Sequence, residues 1–125
     1  MEKNVERSKK YDQNIIAALK SLAIPLITFD GKKVYFGSDK RNETIYEHIA
    51  NKKHKFHVSD IKLIPTILKN KNSLKEDKKS SKKFRNYIGK RAKKNERNKY
   101  ILIITRVDKS NRETIETVHL LRNSN

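Results

Sequence analysis

The stretch KYILIITRVDKSNRETIETVHLLR, residues 99–122, decides how this chain folds. Residues 100–107 form an almost continuous run of apolar and β-branched side chains, the pattern of a central strand covered on at least one face. KSNR at 109–112 reads as a turn, and residues 113–122 resume as a strand in which polar and apolar residues alternate. A strict period of two puts Ile115, Thr117, His119 and Leu121 on one face, and Thr114, Glu116, Val118 and Leu120 on the other.

On the amino-terminal side of these strands lies the most charged part of the chain. Between Lys69 and Lys99 there are fourteen Lys or Arg against three acids, which is +11 of the net +17. Its middle, residues 70–82, has no apolar periodicity and is expected to be a mobile basic loop, whereas KFRNYIGK at 83–90 fits a short strand. Phe84, Tyr87 and Tyr100 sit within this charge; stacking on bases is open to all three, with core packing the expected use of Phe84 and Tyr100.

Further back, SDIKLIPTILKN at 59–70 predicts a helix with Ile61, Ile64 and Leu68 on one face, kinked or split into two pieces by Pro65. NETIYEHIANKKH at 42–54 predicts a short helix capped by Asn42 or Thr44 and ending near the histidines. Near the amino terminus, Ile15, Ile16, Leu19, Leu22 and Ala23 mark a helix from Tyr11 to Ile24, ended by Pro25. Asp30-Gly31 then supplies the turn of a β-hairpin. The expected architecture is one α+β domain over residues 1–125: an N-terminal helix and hairpin (8–38), then two helices packed on a C-terminal antiparallel sheet (43–121).

A charge of +17 on 125 residues opposes compaction and calls for a polyanionic partner, with nucleic acid the first candidate. The chain has no cysteine, which removes disulfides, thiolate metal sites and cysteine nucleophiles. No signal-like or membrane-length apolar run is present, so a soluble cytoplasmic protein with no membrane contact is expected. Three glycines are too few for a phosphate-binding glycine loop, and the acids are scattered among lysines, against two-metal nuclease chemistry.

Three of the four histidines, His48, His54 and His57, fall within HIANKKHKFH at 48–57. Lysines interleave them and no thiolate is available, so no bound metal and no cofactor is expected. Histidine, lysine, arginine and threonine do suffice for one reaction, RNA cleavage without a metal. It needs a base for the ribose 2′-OH, cations on the phosphorane and an acid for the 5′-oxygen.

ETIYEHIANKKH (43–54), DIKLIPTILKN (60–70), KYILIITRVDK (99–109) and ETIETVHLL (113–121), in that order, resemble the phage-associated branch of the barnase, EndoU, colicin and RelE-like (BECR) ribonuclease superfamily. The resemblance implies a metal-independent endoribonuclease acting on tRNA or mRNA, in a phage or toxin setting, with an acidic antitoxin or inhibitor protein as a further partner. It implies His48 and His54 as catalytic residues, Lys53 beside the second histidine where arginine is usual, Arg106 at the scissile phosphate and Thr117 as a hydroxyl on the last strand.

Strand periodicity adds His119, on the same face as Thr117, while His57 reads as a loop bystander. Lys53, Lys82, Lys83, Arg85, Lys90, Arg91 and Lys99 are the expected phosphate contacts, and the helix C-terminus is expected to favour a protonated His54. Two other readings stay open: a non-catalytic nucleic-acid-binding phage regulator or inhibitor with the same fold, and a basic protein that binds an acidic protein partner.

Overall fold

The computed structural model describes residues 9–38, 42–75, 83–93, 96–110 and 112–123. Among the described residues three helices, α1 (Gln13–Lys20), α2 (Ile45–Ala50) and α3 (Val58–Lys69), pack with a curled six-stranded sheet in an α+β arrangement. The strands are β1 (Leu26–Ile27), β2 (Lys33–Phe36), β3 (Leu74–Lys75), β4 (Phe84–Lys90), β5 (Tyr100–Val107) and β6 (Glu113–Leu121). Their spatial order is β1-β2-β6-β5-β4-β3.

The local signals in the sequence account for most of these elements. Asp12 caps α1 by accepting from the backbone N–H groups of Asn14 and Ile15, and Ile15 and Leu19 are buried one turn apart. Helix α1 ends at Lys20 rather than running to Pro25. Thr44 and Glu47 form a reciprocal capping box that starts α2. The β1–β2 turn passes through Gly31 at φ +79°, a conformation that costs glycine nothing and a branched residue much.

Four expectations are corrected. The hairpin joins the main sheet, because β2 pairs with β6 in parallel, so the sheet is mixed rather than antiparallel. Helix α3 is one element of twelve residues with Pro65 inside it, not two pieces. Part of the expected loop is ordered, since residues 71–73 make a 3-10 turn and Leu74–Lys75 pair with β4; residues 76–82 lie outside the described residues. Finally, β6 does not keep a period of two.

That last departure shapes the candidate site. Ile104 pairs with Thr117 but Thr105 pairs with Ile115, so Glu116 is the extra residue of a β-bulge. One face of the sheet therefore carries Ile101, Ile103 and Thr105 together with Glu113, Ile115 and Val118, all buried. The opposite face carries Leu102, Ile104 and Arg106 with Thr114, Thr117 and His119. Ile115, expected beside Thr117, has crossed to the core, and Thr114 takes the place on the His119 side.

The helices cover the first of these faces. Phe29 N–H donates to the Leu68 carbonyl, and Ile67 presses so close to Gly89 that a Cβ there would lie 2.3 Å from its side chain. Leu19, Ile49, Ile61, Ile64 and Leu68 meet Ile101, Ile103 and Ile115 in a single core. The other face is open, with Phe84 42% exposed and Leu102, Ile104 and Ile88 half-buried.

Candidate functional site

The open face reads as rows running across the strands. Phe84, Arg106, Thr114 and Tyr35 form one row; Lys75, Asn86, Ile104 and Thr117 the next; Ile88, Leu102 and His119 the third. Among the described residues, β2 flanks β6 only at Glu113, Thr114 and Ile115. Beyond the bulge β6 keeps β5 on one side, and α2 packs against it, anchored near the end of β2 by the Tyr46 ring, edge-on to Phe36 at 5.1 Å.

Along this flank the separated histidines converge. His48 lies on α2, and its Nδ1 is 2.9 Å from a Glu43 carboxylate oxygen whose partner oxygen accepts from the Tyr11 hydroxyl at 2.6 Å. Beyond α2 the chain makes a 3-10 turn over residues 52–54, capped by Asn51 and closed by Lys55 at φ 59°, which turns His54 back towards α2. The His48 and His54 rings are 5.8 Å apart, and the Phe56 ring stands 6.2 Å from His54. His119 on β6 lies near enough for its charge to act on His54 and for that of His48 to act on it. Thr117 is 3.3 Å from His119 Nε2.

The electrostatics of these groups differ. Burial pushes the Glu43 carboxyl up, but the Tyr11 and His48 hydrogen bonds and the charges of His48 and Lys10 outweigh it, leaving the group below its ordinary value and ionised. An ionised carboxylate can only accept, so His48 Nδ1 carries the hydrogen and Nε2 is left as the atom that exchanges a proton. Burial is the largest influence on His54 and lowers its pKa, and the positive charges of His48 and Lys53, with that of His119 whenever it is protonated, lower it further. His119 is lowered by burial first and by His48 second. Both are therefore neutral at pH 7, which corrects the expectation of a protonated His54: it sits on a separate turn among cations, not at the end of the α-helix.

The remaining expected residues divide. Arg106 is exposed on the same face as Thr117 and His119, one row beyond Thr117. Lys53 is exposed next to His54, and Lys83, Lys90 and Lys99 are exposed on or beside β4 and β5. Lys82 lies outside the described residues. Two arginines expected on phosphate are otherwise engaged. Arg91 is buried and binds both carboxylate oxygens of Asp60, at 2.9 and 2.8 Å. Arg85 spans Asp30 and Glu113 on the helix-covered side.

His57 is apart from the cluster: it precedes α3, donates its N–H to Asp60, and holds Glu96 through Nε2 at 3.1 Å. Among the described residues no three His, Asp or Glu side chains are arranged to hold a metal ion, and no helix is long and apolar enough to cross a membrane.

Two aromatic assignments reverse. Tyr87 is fully buried and its hydroxyl bonds Glu113, while Phe84 is the exposed ring on the open face. The strand alternation of 84–90 carried that information, since Tyr87 is opposite Ile103 and Phe84 opposite Arg106. Glu43 has no local signal that distinguishes it from the other acids ahead of α2; its role depends on Tyr11, thirty-two residues earlier.

Comparison with protein-family models, with curated proteins and with solved structures finds no match. The functional reading therefore rests on the geometry of the chain itself.

Proposed function

We propose that the protein is a metal-independent endoribonuclease whose centre is the flank formed by His48, His54, Thr117 and His119. The observation that carries this reading is the convergence of His48 and His54 with His119, from a distant part of the chain, beside a basic, open sheet face, two of the three favouring the neutral form. A neutral imidazole is the form that accepts a proton, and burial is the first influence that keeps these two in it.

In the proposed reaction neutral His54 or His119 takes the proton of a ribose 2′-OH, and the 2′-oxygen attacks the adjacent phosphorus. The bond from phosphorus to the 5′-oxygen breaks, and imidazolium His48 gives its Nε2 proton to that oxygen. Products are a 2′,3′-cyclic phosphate and a 5′-hydroxyl, with no change of oxidation state. Glu43 holds the His48 ring and its tautomer, as the carboxylate of a catalytic triad does. Arg106 and Lys53 supply positive charge for the phosphorane, and Thr117 orients His119. DNA, lacking the 2′-OH nucleophile, is not cut by this route.

The test is incubation of total RNA with the purified protein in EDTA. Cleavage is expected, with His48→Ala and His54→Ala each slowing it by roughly 10² to 10⁴. Intact RNA, or equal cleavage by the variants, would sink the proposal. Salt-sensitive binding without turnover would replace it with a non-catalytic nucleic-acid-binding protein.

A further inference from the structure

A second basic feature lies at the turn end of the sheet, away from the histidines. A groove of about 330 Å³ opens between the β1–β2 turn and the β5–β6 turn, lined by Asp30, Lys32, Lys33, Tyr35, Ser110 and Arg112. The Arg112 guanidinium is held 3.8 Å from the centre of the Tyr35 ring, so this planar, five-donor cation is ordered before any ligand arrives. The one carboxylate lining the groove is already engaged, because both Asp30 oxygens accept from Arg85, at 3.2 and 2.8 Å, a guanidinium that Asp30 shares with buried Glu113. Lys32, Lys33, Arg112 and Arg85 stand against Asp30, Glu113 and the exposed Asp108 beside Arg112, so the site keeps a net positive charge.

Its position gives the groove meaning. Tyr35 pairs with Thr114, and Thr114 pairs on its other side with Arg106 of β5, so the groove leads along the open face of β6 past Thr114, with Arg106 beside it, to Thr117 and His119. From Arg112 to His119 is seven residue steps, roughly 20 Å at about 3.3 Å per residue. That is a span of several nucleotides, on the scale of the 4–16 that a single-strand-binding surface covers.

The geometry points to this groove as a distal anchor for single-stranded RNA, in which Arg112 and Lys32 take a backbone phosphate several nucleotides from the bond addressed by the histidines. The identity of the strand as RNA rests on the ribonuclease reading; the anchor itself does not. Arg106, beside Thr114 on β5, adds a positive charge along the path from the groove to Thr117. A strand engaging both ends is held in register on β6, whereas a dinucleotide reaches only the histidines. The groove thus selects for length of single strand rather than for a base, since phosphate contacts carry no sequence information.

The experiment compares the full chain with the Lys32→Ala/Arg112→Ala double variant, using fluorescence anisotropy on a 2′-deoxy octanucleotide and a 2′-deoxy dinucleotide, neither of which the proposed chemistry can cut. Octanucleotide binding is expected to weaken about tenfold, with its salt slope falling by roughly 1 for each phosphate that is no longer neutralised. Dinucleotide binding is expected to stay unchanged. Equal octanucleotide affinity in both proteins, or the same weakening for both oligonucleotides, overturns the anchor.

Arg112→Lys serves as a second variant that keeps the charge and the turn, and it should show part of the same weakening. Because these oligonucleotides are uncleavable, failure of the ribonuclease reading leaves the result intact. Conversely, undiminished RNA cleavage together with an unaltered octanucleotide affinity removes the anchor alone.

Discussion

Two groups of ionisable side chains, one on each face of the same sheet, are built to opposite ends. On the helix-covered face Glu113, with no exposed surface, accepts from Arg85 at 2.6 Å, from Tyr87 and from Thr105 at 2.8 Å, while Arg85 also grips Asp30. Each of these charges has a charge or a hydroxyl against it. Asp30 is held down at about 2, chiefly by its hydrogen bonds with Arg85, and burial pushes the Tyr87 hydroxyl up. Neither group changes protonation near neutral pH.

On the open flank the balance is reversed: one carboxylate, Glu43, serves His48, and the other two imidazoles are held neutral by burial and by the positive charge of their neighbours. A closed set of partners fixes a fold; an open set leaves protons to move.

The sharpest way to break this contrast is to open a closed pair. Arg91 and Asp60 belong with the structural set, both nearly without exposed surface, and Arg91 also donates to the Asn98 carbonyl. Arg91→Ala leaves Asp60 as an uncompensated buried charge at the start of α3. The expected loss is about 3–5 kcal/mol of unfolding free energy, read from urea denaturation. RNA affinity at temperatures where the variant is folded should be unchanged. A loss below about 1 kcal/mol, or a selective loss of RNA binding, would move Arg91 back among the phosphate-binding residues.

The same contrast explains what was legible in the sequence. Elements with a local signature could be read: the apolar run of β5, the turn at Gly31, the capped start of α2, and Leu19 one turn from Ile15 in α1. The imidazoles His48, His54 and His119 could be singled out too, being three of only four in the chain, whereas Thr117 is one of many hydroxyls and enters only through the family resemblance. Pairings across long separations could not be read.

Arg85 and Arg91 look like any other basic residue of the 69–99 segment, and only Asp30, Asp60 and Glu113, distant in sequence, remove them from the surface. The parallel pairing of β2 with β6 has no local signal either. The bulge at Glu116 is the instructive case. Alternation predicted the faces of Thr117 and His119 relative to each other, but one inserted residue moved Ile115 and Thr114 to the sides opposite those expected.

A smaller effect sharpens the open side of the comparison. If Glu43 acts by holding the His48 ring, Glu43→Gln keeps the size of the side chain and a hydrogen-bonding group but loses the carboxylate that fixes Nδ1–H. Turnover of RNA should fall about tenfold with KM unchanged, less than the roughly 10² to 10⁴ of a proton-transfer group itself, because Glu43 acts through His48. Stability should shift by less than about 1 kcal/mol, because His48 and Glu43 both remain partly exposed. A rise in KM at constant turnover would instead place Glu43 among groups that shape binding.

The smallest effect is on stability against pH, and its sign follows from the lowered His54 and His119 values. In the unfolded chain both imidazoles titrate near the ordinary histidine value of about 6.5. In the folded protein burial first, and then the charge of neighbouring cations, put them below it. The unfolded state therefore binds more protons in the interval between the two values, and unfolding free energy falls as pH drops through that interval.

Glu43 adds a separate loss at lower pH, since its depressed folded value makes its contribution full above the unfolded carboxyl value and lost as pH falls through the folded one. Urea midpoints measured between pH 8 and pH 5 should decline, and His54→Gln together with His119→Gln should flatten the decline near pH 6 while leaving the Glu43 component at more acid pH. A decline of unchanged slope in the double variant would show that these two imidazoles are not desolvated in the fold, and the case for them as neutral bases would go with it.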